Sequence, residues 1–428
     1  MTEPSAAMDP GPIDVRGLLR IRDYRLLWTG QLVSEAGDGL TNLTLLLLVN
    51  ALTGSTAALA AMAIVLAVPP LTIGLVAGTV VDRFDRRRIM LASDLLRAII
   101  VLGFVAVAAT GNLALLFVLA FVQATIGTFF TPARGAILPR VVPPDGLLAA
   151  NALAGATRVV SAVVGSALAG LIVGVAGAFW PAFVLDAASF LVSFLLIRQL
   201  TADAGRVSHT ADGGGLTARA VASSLGEGLG SIRRSRVLST TILALAVAML
   251  GLGAVNVLFV PLVVRILRVG PVWLGPIELA QSASMILASG AITVLARRLA
   301  PGRIVSIGMA GIALVIASAG AVTAIWQLAA LMFAVGWFLS PLQAAVVTIL
   351  QQSVADRERG RVMAVVNAVM SGASVLSMAF AGIAGDAIGV REVFFVAGAL
   401  AAVGFLVTLL GYRSRGATMA VVRVPTPG

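Results

Sequence analysis

Residues 25–51, 57–79, 88–110, 113–133, 147–175, 178–200, 237–264, 271–296, 303–323, 325–350, 361–386 and 390–412 form twelve long apolar runs. They constrain this chain more than any other feature of it. Each comes close to the ~20 residues a helix needs to cross about 30 Å of hydrocarbon. Inside lipid the backbone has no water to bond, so only helices and closed barrels can span it, and these runs are far too long for barrel strands. Twelve membrane helices are expected, with both ends of the chain on one side. Composition agrees: 59% of the 428 residues are hydrophobic and 11% are charged, where an ordinary globular chain is about a quarter charged.

The residue inventory removes several chemistries. Cysteine is absent, which leaves no disulfide, no thiolate metal site and no Cys nucleophile. The single His209 sits in a Gly-rich stretch, so neither a His metal site nor a catalytic triad has material. No lysine occurs, so a Gly-x-x-x-x-Gly-Lys-Ser/Thr phosphate loop is impossible, and an ATP-driven pump or an enzyme is disfavoured. No cofactor and no metal are expected. Met1–Asp14 is polar, acidic and Pro-containing, unlike a cleavable signal peptide, and reads as a disordered tail.

All 30 basic residues are Arg, and the net charge is +11. Such a charge can mark nucleic-acid binding, but its placement gives another explanation. Arg265, Arg268 and Arg391 fall on the side opposite the termini; the other Arg residues fall on the terminal side or in helices near it. An Arg excess marks the cytoplasmic side of a membrane, which puts both termini there. Trp180, Trp273 and Trp326 open helices at the outer face, and Tyr24, Trp28 and Tyr412 lie at the inner one, as an aromatic belt requires. Topology accounts for the basic charge, and no nucleic-acid partner is expected.

Gln199–Arg236 is the one long internal polar segment. Thr201–Gly215 is rich in Gly, Asp and Ala and reads as flexible, whereas Val221, Leu225, Leu229 and Ile232 recur at helical spacing ahead of Arg233, Arg234 and Arg236. An amphipathic helix lying on the inner leaflet is expected there. The segment divides the chain into a tail (1–24), a six-helix half (25–200), a linker (201–236), a second six-helix half (237–412) and a tail (413–428). The halves read as diverged copies: Ile137-Leu138 recurs as Ile349-Leu350, Asn151 as Asn367, and Arg88-Ile89 as Arg303-Ile304, at nearly constant offset.

Between the second and third runs lies Gly78-Thr79-Val80-Val81-Asp82-Arg83-Phe84-Asp85-Arg86-Arg87-Arg88. The spacing Gly-x-x-x-Asp-Arg-x-x-Arg-Arg resembles the loop between the second and third helices of major facilitator transporters, with Asp85 where that family usually has Gly. Asp23-Tyr24-Arg25-Leu26-Leu27-Trp28, Gly37-Asp38-Gly39, Ser93-Asp94-Leu95-Leu96-Arg97, Pro132-Ala133-Arg134, Ala149-Ala150-Asn151-Ala152 and Gly360-Arg361-Val362 resemble the enterobactin and macrolide exporter branch. Gly165-Ser166-Ala167-Leu168-Ala169-Gly170 resembles the antiporter motif Gly-Pro-x-x-Gly-Gly, with Ser166 in place of Pro and Ala169 in place of Gly. The resemblance implies an all-α membrane protein whose twelve transmembrane helices form two pseudo-symmetric six-helix bundles, with a substrate site between the halves near mid-bilayer. It implies a monomer in a bacterial plasma membrane. It also implies a cytoplasmic gate at Gly78, Asp82, Arg83, Arg86 and Arg87, with Asp82 facing the start of the eleventh helix near Arg361.

Charges inside membrane helices are costly, so each needs a partner or a role. Glu35 and Asp38 share one face of the first helix. Counted from Arg25 they lie ~15 and ~20 Å deep, around the midplane. A carboxylate pair at that depth can take up and release a proton, the group a proton-coupled carrier needs. A structural pair held by Asn42, backbone or an Arg is the alternative. Asp38, flanked by Gly37 and Gly39, is the stronger proton-coupling candidate, with Glu35 beside it and Asp186 on the sixth helix next in line. Asp94 and Arg97 repeat the three-residue spacing and are expected as a charge pair, although Arg97 can also reach toward Glu35 and Asp38; Arg158 on the fifth helix needs an acid as well. Glu278 on the eighth helix is either vestibule or helix-start acid.

Thr41, Asn42, Gln123, Asn256, Phe259, Gln281, Ser284, Met285, Trp337 and Gln343 are the candidate cavity residues, since Met, aromatic and small polar side chains suit amphipathic cargo. The leading reading is a secondary exporter of amphipathic compounds such as drugs, macrolides or siderophores, driven by protons. A lysophospholipid transporter and a non-transporting scaffold or sensor are the alternatives. The latter has no use for the Gly78–Arg88 loop.

Because the chain has no cysteine, single-cysteine variants report topology directly. A cysteine in the linker is expected to react with an impermeant maleimide only in opened cells; labelling in intact cells would overturn the orientation.

Overall fold

The computed structural model describes residues 13–201, Gly205 and 218–413. The expected N-terminal tail up to Gly11-Pro12, the C-terminal tail beyond Arg413 and most of the Gly-rich linker, His209 included, lie outside the described residues. Every regular element among the described residues is helical. In chain order these are α1 (Val15–Arg20), α2 (Arg22–Thr53), α3 (Thr56–Arg83), α4 (Arg86–Thr110), α5 (Leu113–Val141), α6 (Leu147–Ala176) and α7 (Trp180–Ile197), then the linker helix α8 (Ala218–Arg234). After it come α9 (Arg236–Pro261), α10 (Leu274–Arg298), α11 (Pro301–Ala319), α12 (Ile325–Ser353), α13 (Arg359–Ala387) and α14 (Val390–Arg413). Eleven helices among the described residues are long and apolar enough to cross a membrane, and α10 supplies the twelfth helix expected from the sequence.

Helix ends depart from the apolar runs in both directions: α5 runs past 133 to Val141, whereas α7 stops at Ile197 and α11 at Ala319. α5 continues through Pro132 and Pro139, and α3 through Pro69 and Pro70. Membrane helices tolerate such residues because neighbouring groups and local adjustments satisfy the freed carbonyls. At Pro261 the adjustment is visible, as the next turn, Leu262–Ile266, is π-helical.

The chain packs as two units. The first comprises Met1–Asn42, Thr72–Gly165 and Phe179–Gly214; the second comprises Leu43–Leu71, Ser166–Ala178 and Gly215–Gly428. In the first, an apolar core at the terminal end joins Leu18, Tyr24, Leu27, Val81, Met90 and Ile137. Asp85 begins α4 as its N-cap, accepting from the Arg88 amide at 2.9 Å, so the departure from Gly supplies a helix start. Arg87 donates to the Ile197 and Arg198 carbonyls at the end of α7, where a cation suits the helix dipole. Arg86 donates to the Ala136 carbonyl at 3.3 Å.

Within this unit α2 is held by close backbone approach. A Cβ on Gly165 of α6 would meet the Leu40 amide nitrogen at 2.7 Å and the Gly39 carbonyl carbon at 2.9 Å. On the other side of α2, a Cβ on Gly37 would run into Asp186 and Ser189 of α7. Without a hydrophobic driving force between helices in lipid, such small-residue contacts are what bring them together.

In the second unit Asp386, at the end of α13, adds to the local cap of α3, where Ser55 Oγ accepts from the Ala58 amide at 3.2 Å. Its carboxylate accepts from the Thr56 amide at 2.7 Å, the Ala57 amide at 3.1 Å, Thr56 Oγ1 at 2.8 Å and Ser55 Oγ at 2.5 Å. The first amides of a helix have no internal partner, and negative charge is favoured beside them. Arg265 completes the arrangement from the opposite sign: it donates to Asn50 Oδ1 at 2.7 Å and to the Gly54 carbonyl, at the end of α2. The linker helix α8 also belongs here. Ile232 is buried against Leu238, Val362 and Val365, Ser231 donates to Glu358 at 2.9 Å, and Glu227 pairs with Arg361. The expected amphipathic helix thus lays part of its apolar side on protein, while Leu229 remains exposed.

Two substitutions test these contacts. Gly165→Ala is expected to cost about 1–3 kcal/mol by overpacking, read as a lower thermal unfolding midpoint in detergent. Gly155→Ala on the same helix, where a Cβ meets nothing within 4 Å, is the control that should not lower it. Asp386→Ala frees the Thr56 and Ala57 amides while Ser55 keeps the Ala58 amide, at a cost of about 1–2 kcal/mol, enough to raise local opening about 5–30-fold. A cysteine at Ala60, 3% exposed and packed on Gly382, should then react with a soluble maleimide correspondingly faster than in the parent.

Candidate functional site

The polar residues of α2 recur at Gln31, Glu35, Asp38 and Asn42, a spacing that keeps them on one stripe of a helix. Each acid on that stripe meets an Arg. Glu35 Oε1 accepts from Arg134 of α5 at 2.9 Å, and the same Arg134 nitrogen donates to Gln31 Oε1 at 3.2 Å. Arg158, exposed on α6, adds a second positive charge acting on Glu35. One helical turn deeper, Asp38 pairs with Arg97 of α4. The Arg97 guanidinium also lies over the Phe190 ring of α7, 4.1 Å from its centroid, a cation–π contact that holds it in place.

Arg97 therefore serves Asp38, and the pairing with Asp94 expected from their three-residue spacing is not formed. Arg134 is the functional-site residue that sequence reasoning noted only as part of a motif. Its signal was an Arg in the middle of an apolar run, which a membrane helix keeps only with a partner.

Behind the α2 stripe sit two further acids, both fully buried: Asp94 on α4 and Asp186 on α7. Asp186 accepts from Ser189 Oγ at 3.1 Å. Both oxygens of Asp94, the second oxygen of Asp186, Thr41 Oγ1, Ser193 Oγ and Arg97 Nε are buried without a hydrogen-bond partner. Four ionisable side chains, Asp38, Asp94, Asp186 and Arg97, thus share one interior.

Toward the terminal end, a small cleft is lined by Tyr24, Trp28, Gln31, Arg134, Leu138 and Asn151. Trp28 is oriented by a 2.9 Å bond from Nε1 to Thr157 Oγ1, and the buried Tyr24 hydroxyl and Gln31 amide nitrogen lack partners.

The remaining expected residues are distributed between the two units. In the first, Thr41 and Gln123 are buried and Asn42 is exposed. In the second, Asn256, Trp337 and Gln343 are exposed, while Phe259, Gln281 and Met285 are half-buried. Ser284 is buried, donating to the Gln281 carbonyl at 2.8 Å. Asp82 and Arg83 are exposed, and neither forms an ion pair among the described residues. A Cβ on Gly78 would meet nothing within 4 Å. Glu278 of α10 faces Ser166.

A ladder of part-buried acid–Arg pairs along one helix, set in a bundle of membrane helices, suits a carrier rather than an enzyme. The comparisons agree. The sequence profile of the Major Facilitator Superfamily matches residues 27–320 and 277–423. The multidrug efflux pump Tap of Mycobacterium tuberculosis is 30% identical over 385 residues, which are 86% of this chain and 88% of Tap. Macrolide efflux protein A of Streptococcus pyogenes is 27% identical over 151 residues, 35% of this chain and 37% of that protein. Among solved structures, a bacterial homologue of the iron transporter ferroportin in an inward-facing state matches with a TM-score of 0.72 at 14% identity, over 92% of this chain and 99% of its own. The nucleoside transporter NupG matches with a TM-score of 0.69 at 12% identity, over 91% and 99%. At these identities the two structures speak for the fold alone. With the profile covering most of its length, the chain belongs to the Major Facilitator Superfamily and is a membrane transporter.

Proposed function

We propose that the protein exports amphipathic small molecules across a bacterial plasma membrane by alternating access, in exchange for protons. The observation that carries this reading is the two part-buried ion pairs of α2, Glu35–Arg134 and Asp38–Arg97, inside a bundle of membrane helices. Burying an ion pair gains little over apolar packing, and breaking one is costly. Charges kept at such depth therefore point to work done on charge. Relatives named for multidrug and macrolide efflux support small-molecule cargo and the outward direction.

In this reading the cleft at Tyr24 and Trp28 receives cargo from the terminal side: the aromatic faces take its apolar body, and Gln31 and the Tyr24 hydroxyl take its polar groups. Met285, Phe259 and Trp337 in the second unit supply adaptable apolar surface. The loop at Gly78, Asp82, Arg83, Arg86 and Arg87 acts as the cytoplasmic gate. Arg86 and Arg87 anchor it through the carbonyls of α5 and α7, while the exposed Asp82 is free to engage a helix start in another state of the cycle. Both termini and α8 lie in the cytoplasm, and the transporter works as a monomer.

The test is accumulation of a permanently charged quaternary ammonium dye in proteoliposomes with an acidic interior, since such a dye does not partition by pH on its own. Accumulation several-fold above protein-free liposomes is expected, and it should vanish when an ionophore collapses the gradient. Accumulation that ignores the gradient would sink the antiport reading; none for any dye or macrolide would sink the export reading.

A further inference from the structure

We propose that the exchangeable proton of this transporter resides on two buried acids, Asp94 of α4 and Asp186 of α7, which communicate with Asp38 through Arg97. The inference deepens the antiport reading and rests on it for the link to cargo. The proton-site assignment itself rests on geometry.

Charge balance comes first. Three carboxylates, Asp38, Asp94 and Asp186, share their interior with one guanidinium, Arg97, which is committed to Asp38. Glu35, the other acid of α2, has its own Arg134. Asp94 and Asp186 are both 0% exposed, and an ionised carboxylate at such a place costs several kcal/mol unless it is paired. The charged groups acting on both are Asp38 from α2 and Arg97 from α4, and α7 brings only the hydroxyls of Ser189 and Ser193. Among the described residues no second cation acts on the two acids.

The hydrogen-bond inventory points the same way. Ser193 faces Asp94, and Thr41 faces Asp186, yet both hydroxyl oxygens and the carboxyl oxygens opposite them stand without a completed bond. A protonated carboxyl donates one O–H, and a hydroxyl oxygen can accept it. Each acid therefore has one acceptor in place for the proton it would hold. The stripe of α7 that carries Asp186, Ser189 and Ser193 is pressed against α2 at Gly30 and Gly37, which helps bury Asp186 in this state.

The discharged state is also provided for. Arg97 Nε is buried and has no acceptor. When Asp94 or Asp186 loses its proton, the O–H bond breaks, the electron pair stays on the carboxylate and the proton passes to water. The new anion then takes the Nε–H of Arg97. That draws Arg97 from Asp38, whose side chain is 29% exposed, and leaves Asp38 as an accessible anion for a cationic group of the cargo. Proton release and cargo binding are linked through one guanidinium.

Infrared titration of the full-length protein in lipid nanodiscs, from about pH 5 to about pH 9, reads protonated carboxyl groups without relying on transport. The parent should lose carboxylic-acid absorption as pH rises. Asp94→Asn and Asp186→Asn should each remove part of that change and the double variant all of it, while Glu35→Gln leaves it in place. A double variant that keeps the full change, or a parent with none, overturns the proposal. If the variants do not fold, uniform labelling of Asp with carbon-13 in the parent decides: the titrating band must shift, and an unshifted band places the proton on Glu. Gradient-driven dye accumulation should fall about tenfold or more in either Asn variant; accumulation at parental level in the double variant overturns the coupling role. If the titration maps to Asp94 and Asp186 but the parent shows no gradient-driven accumulation, the antiport reading fails while the proton site stands.

Discussion

The arrangement of the first unit follows from the cost of charge in hydrocarbon. Asp38 and Arg97 lie on different helices, and neither is tolerable alone at that depth. Their pairing fixes α2 against α4, and the Phe190 ring beneath the guanidinium brings α7 into the same contact. A second rung, Glu35 with Arg134, ties α2 to α5. One helix thus serves as the common partner of three others, and it can do so because Gly37, Gly39 and Gly165 let neighbouring backbones reach it.

Where the charges give out, helix ends take over. At the turn between α2 and α3, an Arg holds carbonyls and an Asp holds amides, each sign matched to the helix terminus it meets. Arg87 at the end of α7 follows the same rule. Asp386 is exposed, so its contacts cost little desolvation while they fix the helix ends.

The sequence was most informative where one physical constraint acts alone. Apolar length located the eleven helices long and apolar enough to cross a membrane, and α10 beside them, since lipid leaves a backbone few options. Helix ends were less legible: α5 passes through Pro132 and Pro139 to Val141, because tertiary neighbours rescue what proline removes. Depth and spacing picked out Glu35, Asp38, Asp94, Arg97 and Asp186, but not their pairing. Arg97 lies on one face of α4 with Asp94, yet it turns to Asp38, fifty-nine residues away in sequence. Partner choice depends on the angle and closeness of helix crossings, and these depend on which glycines meet. Nothing in the local spacing carries that information. The same limit hid Asp386, a cap supplied from the far end of the chain.

The double proline of α3 has a mechanical consequence. The helix begins under the Asp386 cap and ends at the loop of Asp82, and its residues pass from the second packing unit to the first between Leu71 and Thr72, directly after Pro69 and Pro70. Two consecutive prolines remove two backbone hydrogen bonds from the rod, so its bending stiffness has a minimum there. The helix therefore bends most readily at two adjacent residues near its midpoint.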